Sequence, residues 1–272
     1  MVNWSKPQPD SLFASVERVK IHYKLKGSGP GILLLHGSGS SLQGVEKVAH
    51  FLARSYTVVT PDLPGSALSG PREDRDYRIT TFAKTMAGFM AQIGFSEYTV
   101  AGNSLGGNIA WNMALDYPAA VKSLCLINAT GYPDKELPAG LRLMRNPFLK
   151  PLLRSWLPRG VTEKNLRSAV GPGSDIVSTD MVDRVYGLMS LPGNRSAFVD
   201  LANTDQIDRS EAIRKISVPT LILRSAHVDG QYFERDIAGS SELIRADGGH
   251  LLPEEQPEWV SDAILRFMKS LK

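Results

Sequence analysis

Tyr98-Thr99-Val100-Ala101-Gly102-Asn103-Ser104-Leu105-Gly106-Gly107 is the stretch on which the fold turns. Its first half is a short run of β-forming residues, its second half opens a helical pattern that reaches Tyr117, and a G-x-S-x-G pattern lies at the junction. A strand that bends directly into a helix holds the junction residue in a strained conformation and crowds it with backbone, so its neighbours must be small. The serine hydroxyl is thereby lifted above the sheet edge. Without a strand before it and a helix after it the pattern carries little weight; in this context it makes Ser104 the candidate nucleophile.

Working outward, strands and helices take turns on both sides of this junction. Upstream, Val19-Lys20-Ile21-His22-Tyr23-Lys24-Leu25 alternates like a half-buried strand, and Ile32-Leu33-Leu34-Leu35 is a continuous apolar run ending at His36-Gly37. A helical stretch over about 42–54 leads to the strand Tyr56-Thr57-Val58-Val59-Thr60. A second helix over 80–93 repeats Phe82, Met86, Phe89, Met90 and Ile93 at three- and four-residue spacing. Downstream, residues 121–127, 219–223 and 242–245 supply further strands, and a helix through Trp259, Ile264 and Phe267 ends the chain. Continuous apolar strands alternating with helices predict a parallel sheet covered on both faces, with right-handed crossovers. From 133 to 214 the strand pattern disappears; Leu, Arg and Pro dominate, with breakers at Gly171-Pro172-Gly173 and Leu191-Pro192-Gly193. We expect a core built from 1–132 and 215–272, interrupted by a helical cap over 133–214.

A serine hydroxyl is a weak nucleophile until a neighbouring base takes its proton, so one of the five histidines must approach it. His22 lies in an early strand, His50 in a surface-type helix, His36 in a turn and His227 in a loop. His250 follows the last strand in Asp247-Gly248-Gly249-His250-Leu251, at the carboxyl edge of the sheet where open α/β folds bind ligands, and is the expected base. Acyl transfer also needs N–H donors for the developing oxyanion. The amide of Leu105, at a helix N-terminus, and that of Ser38, after the strand ending at His36-Gly37, are the expected pair.

In Leu33-Leu34-Leu35-His36-Gly37-Ser38-Gly39, Asp62-Leu63-Pro64-Gly65, Gly102-Asn103-Ser104-Leu105-Gly106-Gly107, Val218-Pro219-Thr220-Leu221-Ile222-Leu223 and Gly249-His250, the chain resembles the α/β-hydrolase superfamily over nearly its whole length. The resemblance is to small capped members such as esterases, lipase-like hydrolases and hydrolases of aromatic ring-cleavage products. It implies a mostly parallel eight-stranded sheet flanked by helices with an inserted helical cap, and a triad in the order Ser, acid, His. The family's acid follows the strand matching 221–223, but counting from Ser225 puts Val228 in its place, with Asp229 one residue late. A shortened loop that brings Asp229 to His250 is the expected solution. Otherwise the acid is absent or comes from elsewhere: from the end of the strand finishing at Asn128, which is an amide, or from Asp134 beyond it. A smaller departure is Ser66-Ala67, where the family has a bulky residue and a glycine.

The expected activity is hydrolysis of an ester, thioester or lactone of an apolar small molecule through an acyl-enzyme on Ser104. Leu141, Met144, Phe148, Leu152, Leu153, Trp156, Leu157 and Met189 of the cap are the apolar candidates for the pocket. Among them Met144, Phe148, Trp156 and Met189 join Gly37 and Asn103 as the expected substrate-binding set. Rival readings on the same fold are a carbon–carbon bond hydrolase, a cyclase or lyase, or a ligand-binding homologue with little turnover. No cofactor or metal is expected: the one cysteine, Cys125, sits in an apolar run, and no Cys/His cluster has ligand spacing. The net charge of +3 is scattered rather than gathered into a basic stripe, which argues against nucleic acid. No signal-peptide pattern opens the chain and no apolar run approaches the roughly 20 residues of a membrane span, so a cytoplasmic monomer or homodimer is expected.

Overall fold

The computed structural model describes residues 3–133 and 144–271. Eight strands form one sheet in the order β1-β2-β4-β3-β5-β6-β7-β8: β1 (Leu12–Val16), β2 (Val19–Lys26), β3 (Gly31–Leu35), β4 (Thr57–Pro61), β5 (Tyr98–Asn103), β6 (Val121–Ile127), β7 (Thr220–Ser225) and β8 (Ser241–Arg245). β1 and β2 pair antiparallel, as do β2 and β4; every other neighbouring pair is parallel. This is the mostly parallel eight-stranded sheet that the resemblance implied.

The continuous apolar runs are explained by the two layers that cover them. Along β3, Leu33 and Leu35 face a cluster with Phe82, Met86 and Phe89 of α2 (Ile79–Gln92) and with Ile109 and Trp111 of α3 (Leu105–Asp116). Ile32 and Leu34 face the opposite cluster, which holds Val48 and Leu52 of α1 (Glu46–Leu52) and Val260 and Ile264 of the C-terminal helix Pro257–Ser270. Alternate residues of one strand therefore enter different cores, and no position along it can be polar. Cys125 belongs to the second cluster and is buried, and burial pushes its thiol well above the usual range.

β1 has no strand of its own in the sequence reading. Val16 and Val19 pair across a two-residue turn whose residues, Glu17 and Arg18, both have positive φ, 47° and 69°. Such hairpin turns are normally marked by Asn-Gly or Asp-Gly, and here that punctuation is missing.

Although β6 and β7 are neighbours in the sheet, the chain between them makes only helices among the described residues: α4 (Lys150–Ser155), α5 (Arg159–Ala169), α6 (Thr179–Met189) and α7 (Asn194–Asn203), then a 3-10 turn over Ser210–Lys215. This helical segment, called the cap below, has a small core of its own in Met144, Leu153, Leu157, Val199 and Ala202. Among the described residues no helix is long and apolar enough to cross a membrane.

Candidate active site

Ser104 stands between the end of β5 and the first turn of α3 with φ 55° and ψ −114°, a conformation that L-residues avoid. Its surroundings explain the glycines. A Cβ on Gly102 would lie 2.3 Å from the carbonyl of Gly106, one on Gly106 2.5 Å from the Leu35 oxygen, and one on Gly107 2.5 Å from the Ala129 Cβ. β5 can enter α3 this steeply only where side chains are absent, and the strain falls on the one residue that carries the hydroxyl.

The side chain of Ser104 is nearly covered, at 8% exposure, and its Oγ lies 2.8 Å from Nε2 of His250. The two residues are 146 positions apart in the chain, so the contact is made entirely by the fold. The histidine loop is held in turn by Asn128, which follows β6 with a left-handed φ of 41° and is completely buried. Asn128 Nδ2 donates to the carbonyl of Gly249 at 3.0 Å and to Ser225 Oγ at 3.1 Å, while its Oδ1 accepts from the Ser225 amide at 2.9 Å. Ser225 Oγ also donates to the Gly249 carbonyl, at 2.5 Å. The ends of β6 and β7 are thus pinned to the residue before His250. Sequence reasoning missed this role because an amide after a strand looks like any turn residue; the unexplained asparagine at a possible acid position was the available signal.

The other histidines are used elsewhere. His36 is buried with Nδ1 2.8 Å from the Gly37 carbonyl and Nε2 accepting from the Leu63 amide at 3.0 Å; burial lowers its pKa, against the pull of Asp62. His22 is paired with Asp62 at 2.7 Å. His50 and His227 are exposed.

Asp229 is not brought to His250. Its side chain is exposed and makes no hydrogen bond or ion pair among the described residues, whereas Val228 beside it is buried. The cause is local: the Val228 amide donates back to the Ser225 carbonyl, closing a tight turn that aims 228 inward and 229 outward. Asp134, the other candidate acid, lies outside the described residues, as does Leu141 of the expected pocket.

Two clefts meet beside Ser104. One, with about 360 Å³ of unfilled space, is walled by Gly37, Asn103, Ser104 and His250 together with Glu254. The other, about 510 Å³, is mostly apolar and runs under the cap between Leu63, Tyr77, Leu188, Met189 and Phe198. Ser38 lines both, and Leu105 lines the apolar one. Leu105 is the first residue of α3, so its N–H has no carbonyl within the helix to bond to and lies at the positive end of the helix dipole. Ser38 Oγ is buried without a hydrogen-bond partner among the described residues. Asn103 is more structural than expected: with its amide nitrogen facing inward it donates to the carbonyls of Ile127 (3.2 Å) and His250 (3.3 Å).

Of the expected cap residues only Met189 reaches a described cleft. Met144 is spent on the cap's own core, and Phe148 and Trp156 point into solvent at 90% and 55% exposure. Phe148 precedes α4 and Trp156 follows its last residue in an extended conformation, so neither shares the helix face on which Leu153 enters the cap's core.

A family model described as alpha/beta hydrolase fold matches residues 30–257. The chain is a member of the alpha/beta hydrolase fold family. Among its relatives in this family, the uncharacterized hydrolase YugF of Bacillus subtilis is 25% identical over 94% of this chain and 96% of its own length. The soluble epoxide hydrolase of a Corynebacterium species is also 25% identical, over 95% and 97% of the two chains. Among solved alpha/beta hydrolases, a thermophilic esterase from Thermogutta terrifontis superposes with a TM-score of 0.80 at 22% identity, covering 96% of this chain and 98% of its own, a likeness of fold.

Proposed function

We infer that this alpha/beta hydrolase is a serine esterase in the broad sense, cleaving an ester, thioester or lactone with an apolar acyl part. The reading rests first on the 2.8 Å contact between Ser104 Oγ and His250 Nε2. Nε2 takes the hydroxyl proton as Oγ attacks the acyl carbon; the carbonyl oxygen becomes an oxyanion facing the amides of Leu105 and Ser38; collapse expels the alcohol or thiol, which leaves with the proton from His250. Water then repeats the sequence on the acyl-enzyme and frees the acid.

The chemistry of the nucleophile favours acyl substrates over the epoxides named for some relatives. A serine oxygen that opened an epoxide would be left as an ether, with no carbonyl for water to attack. A serine oxygen that attacks an acyl carbon becomes an ester, which the same histidine and the same N–H donors can hydrolyse. The apolar cleft beneath Met189 and Phe198 suits the acyl part, and the more polar cleft beside His250 suits the departing alcohol.

The test is covalent. A fluorophosphonate should label the wild type at Ser104, Ser104→Ala not at all and His250→Ala about a thousandfold more slowly, with the same order for hydrolysis of p-nitrophenyl esters. Folded wild type that resists the label, or epoxide opening that survives Ser104→Ala, would end this reading.

A further inference from the structure

The loop that carries His250 is fastened not only to the sheet but also to the cap. The amide of His250 itself donates to the carbonyl of Ala169, the last residue of α5, at 2.6 Å. Two residues on, Gly171 meets Gly249 backbone to backbone: a Cβ on Gly171 would lie 2.4 Å from the Asp247 oxygen, and one on Gly249 2.2 Å from the Gly171 nitrogen. The Gly171-Pro172-Gly173 segment, which reads in the sequence as a mere helix breaker, is therefore a contact surface for the histidine loop. One carboxylate closes the arrangement. Glu255 accepts from the Gly171 amide through Oε1 at 2.7 Å and from the Gly249 amide through Oε2 at 3.0 Å. Beside it, Glu254 pairs with Arg184 of α6 at 2.5 Å, with both side chains largely buried.

We propose that Glu255 is a positioning residue that ties the cap to the base, so that seating the cap over the clefts and presenting His250 to Ser104 are a single event. This rests on His250 being the base. Each oxygen of the carboxylate serves a different body, the cap loop through one and the histidine loop through the other, and a charged acceptor makes both bonds strong. A cap that lifts breaks the Ala169 bond to the histidine amide and the Gly171 bond to Glu255 together. The histidine loop then keeps its bonds to Asn128, Ser225, Asn103 and Glu255 but loses the cap's hold on the His250 amide itself, and a displacement of about 1 Å is enough to cost a hundredfold in rate. Hydrolysis is thereby confined to the closed state, in which the acyl part is already enclosed under α6 and α7.

Glu255→Gln keeps one acceptor oxygen and can serve only one of the two amides; Gly171→Ala loosens the same junction from the cap side without touching the carboxylate. Both should slow fluorophosphonate labelling of Ser104 at least tenfold and lower kcat with KM within about twofold, because the ground-state contacts in the apolar cleft are untouched. Amide hydrogen exchange should quicken in 165–175 and 245–256 together, while β4 keeps wild-type protection. Labelling at the wild-type rate in both variants, or faster exchange in only one of the two segments, would overturn the tie. Wild-type labelling in His250→Ala would remove the base itself, so the two failures are distinguishable.

Discussion

Ser104 is held where it is least comfortable. Because a side chain at φ 55° is strained while glycine is not, two inactive variants separate the backbone cost from the chemistry. Neither Ser104→Gly nor Ser104→Ala has a hydroxyl, yet the glycine variant should be more stable by about 1 kcal/mol in urea unfolding, the reverse of the usual order. At an ordinary helix position glycine is the weaker residue, so equal midpoints would mean that the bend relaxes once the hydroxyl is gone. The structure also changes what is expected at Asp229. An exposed carboxylate with no partner among the described residues does not steady an imidazole, and Asp229→Asn should turn over p-nitrophenyl esters within about twofold of wild type, where loss of a working triad acid costs about ten thousandfold. A loss near that size would show that the 225–229 turn opens to bring the carboxylate inward. The contact between Ser104 and His250 was legible in the sequence because each residue is announced by backbone demands, small neighbours around Ser104 and a glycine loop before His250. The inward turn of Val228 was not, since it depends on a hydrogen bond to Ser225 that no spacing reveals.

Among the elements, those with strong periodicity were readable to within a residue or two. The 80–93 helix is α2 over 79–92, because its apolar stripe has to meet β3 and α3. β1 escaped notice because Glu17 and Arg18 adopt a turn that their side chains disfavour, so nothing local marks the hairpin. The cap was readable as helical and not as a lining, because short helices joined by breakers carry too few turns to fix their phase. A tie of a different kind joins the segment after β6 to α8 (Phe233–Asp236). The Tyr132 hydroxyl donates to Asp236 Oδ2 at 2.9 Å, and Arg235 pairs with the same carboxylate at 2.7 Å. The Arg235 hydrogen bond above all, helped by Tyr132, lowers the Asp236 pKa to about 2. A carboxyl whose folded pKa lies below its unfolded value stabilises the protein above the unfolded value, and that stability disappears as the pH falls through the folded one. The stability difference between wild type and Asp236→Asn should therefore be constant above about pH 5 and shrink between about pH 4 and pH 2, as urea midpoints across that range would record. A difference that stayed constant to pH 2 would show that the carboxyl titrates normally.

At the scale of the molecule, a mostly parallel sheet covered on both faces could be anticipated because strands buried on both faces announce themselves as continuous apolar runs. The close approach of the cap to the histidine loop could not, because Gly171 and Gly249 meet there through backbone atoms, with no side chain to leave a pattern. The two clefts that meet at Ser38 carry one more implication for the proposed reaction. With the acyl group lodged on one side of the serine and the alcohol on the other, the first product can depart while its partner is still attached, and the space it vacates is open to the next nucleophile. Such a ping-pong site does not reserve that space for water: a second alcohol entering there would carry the acyl group away as a new ester, making transacylation a natural by-product of the architecture.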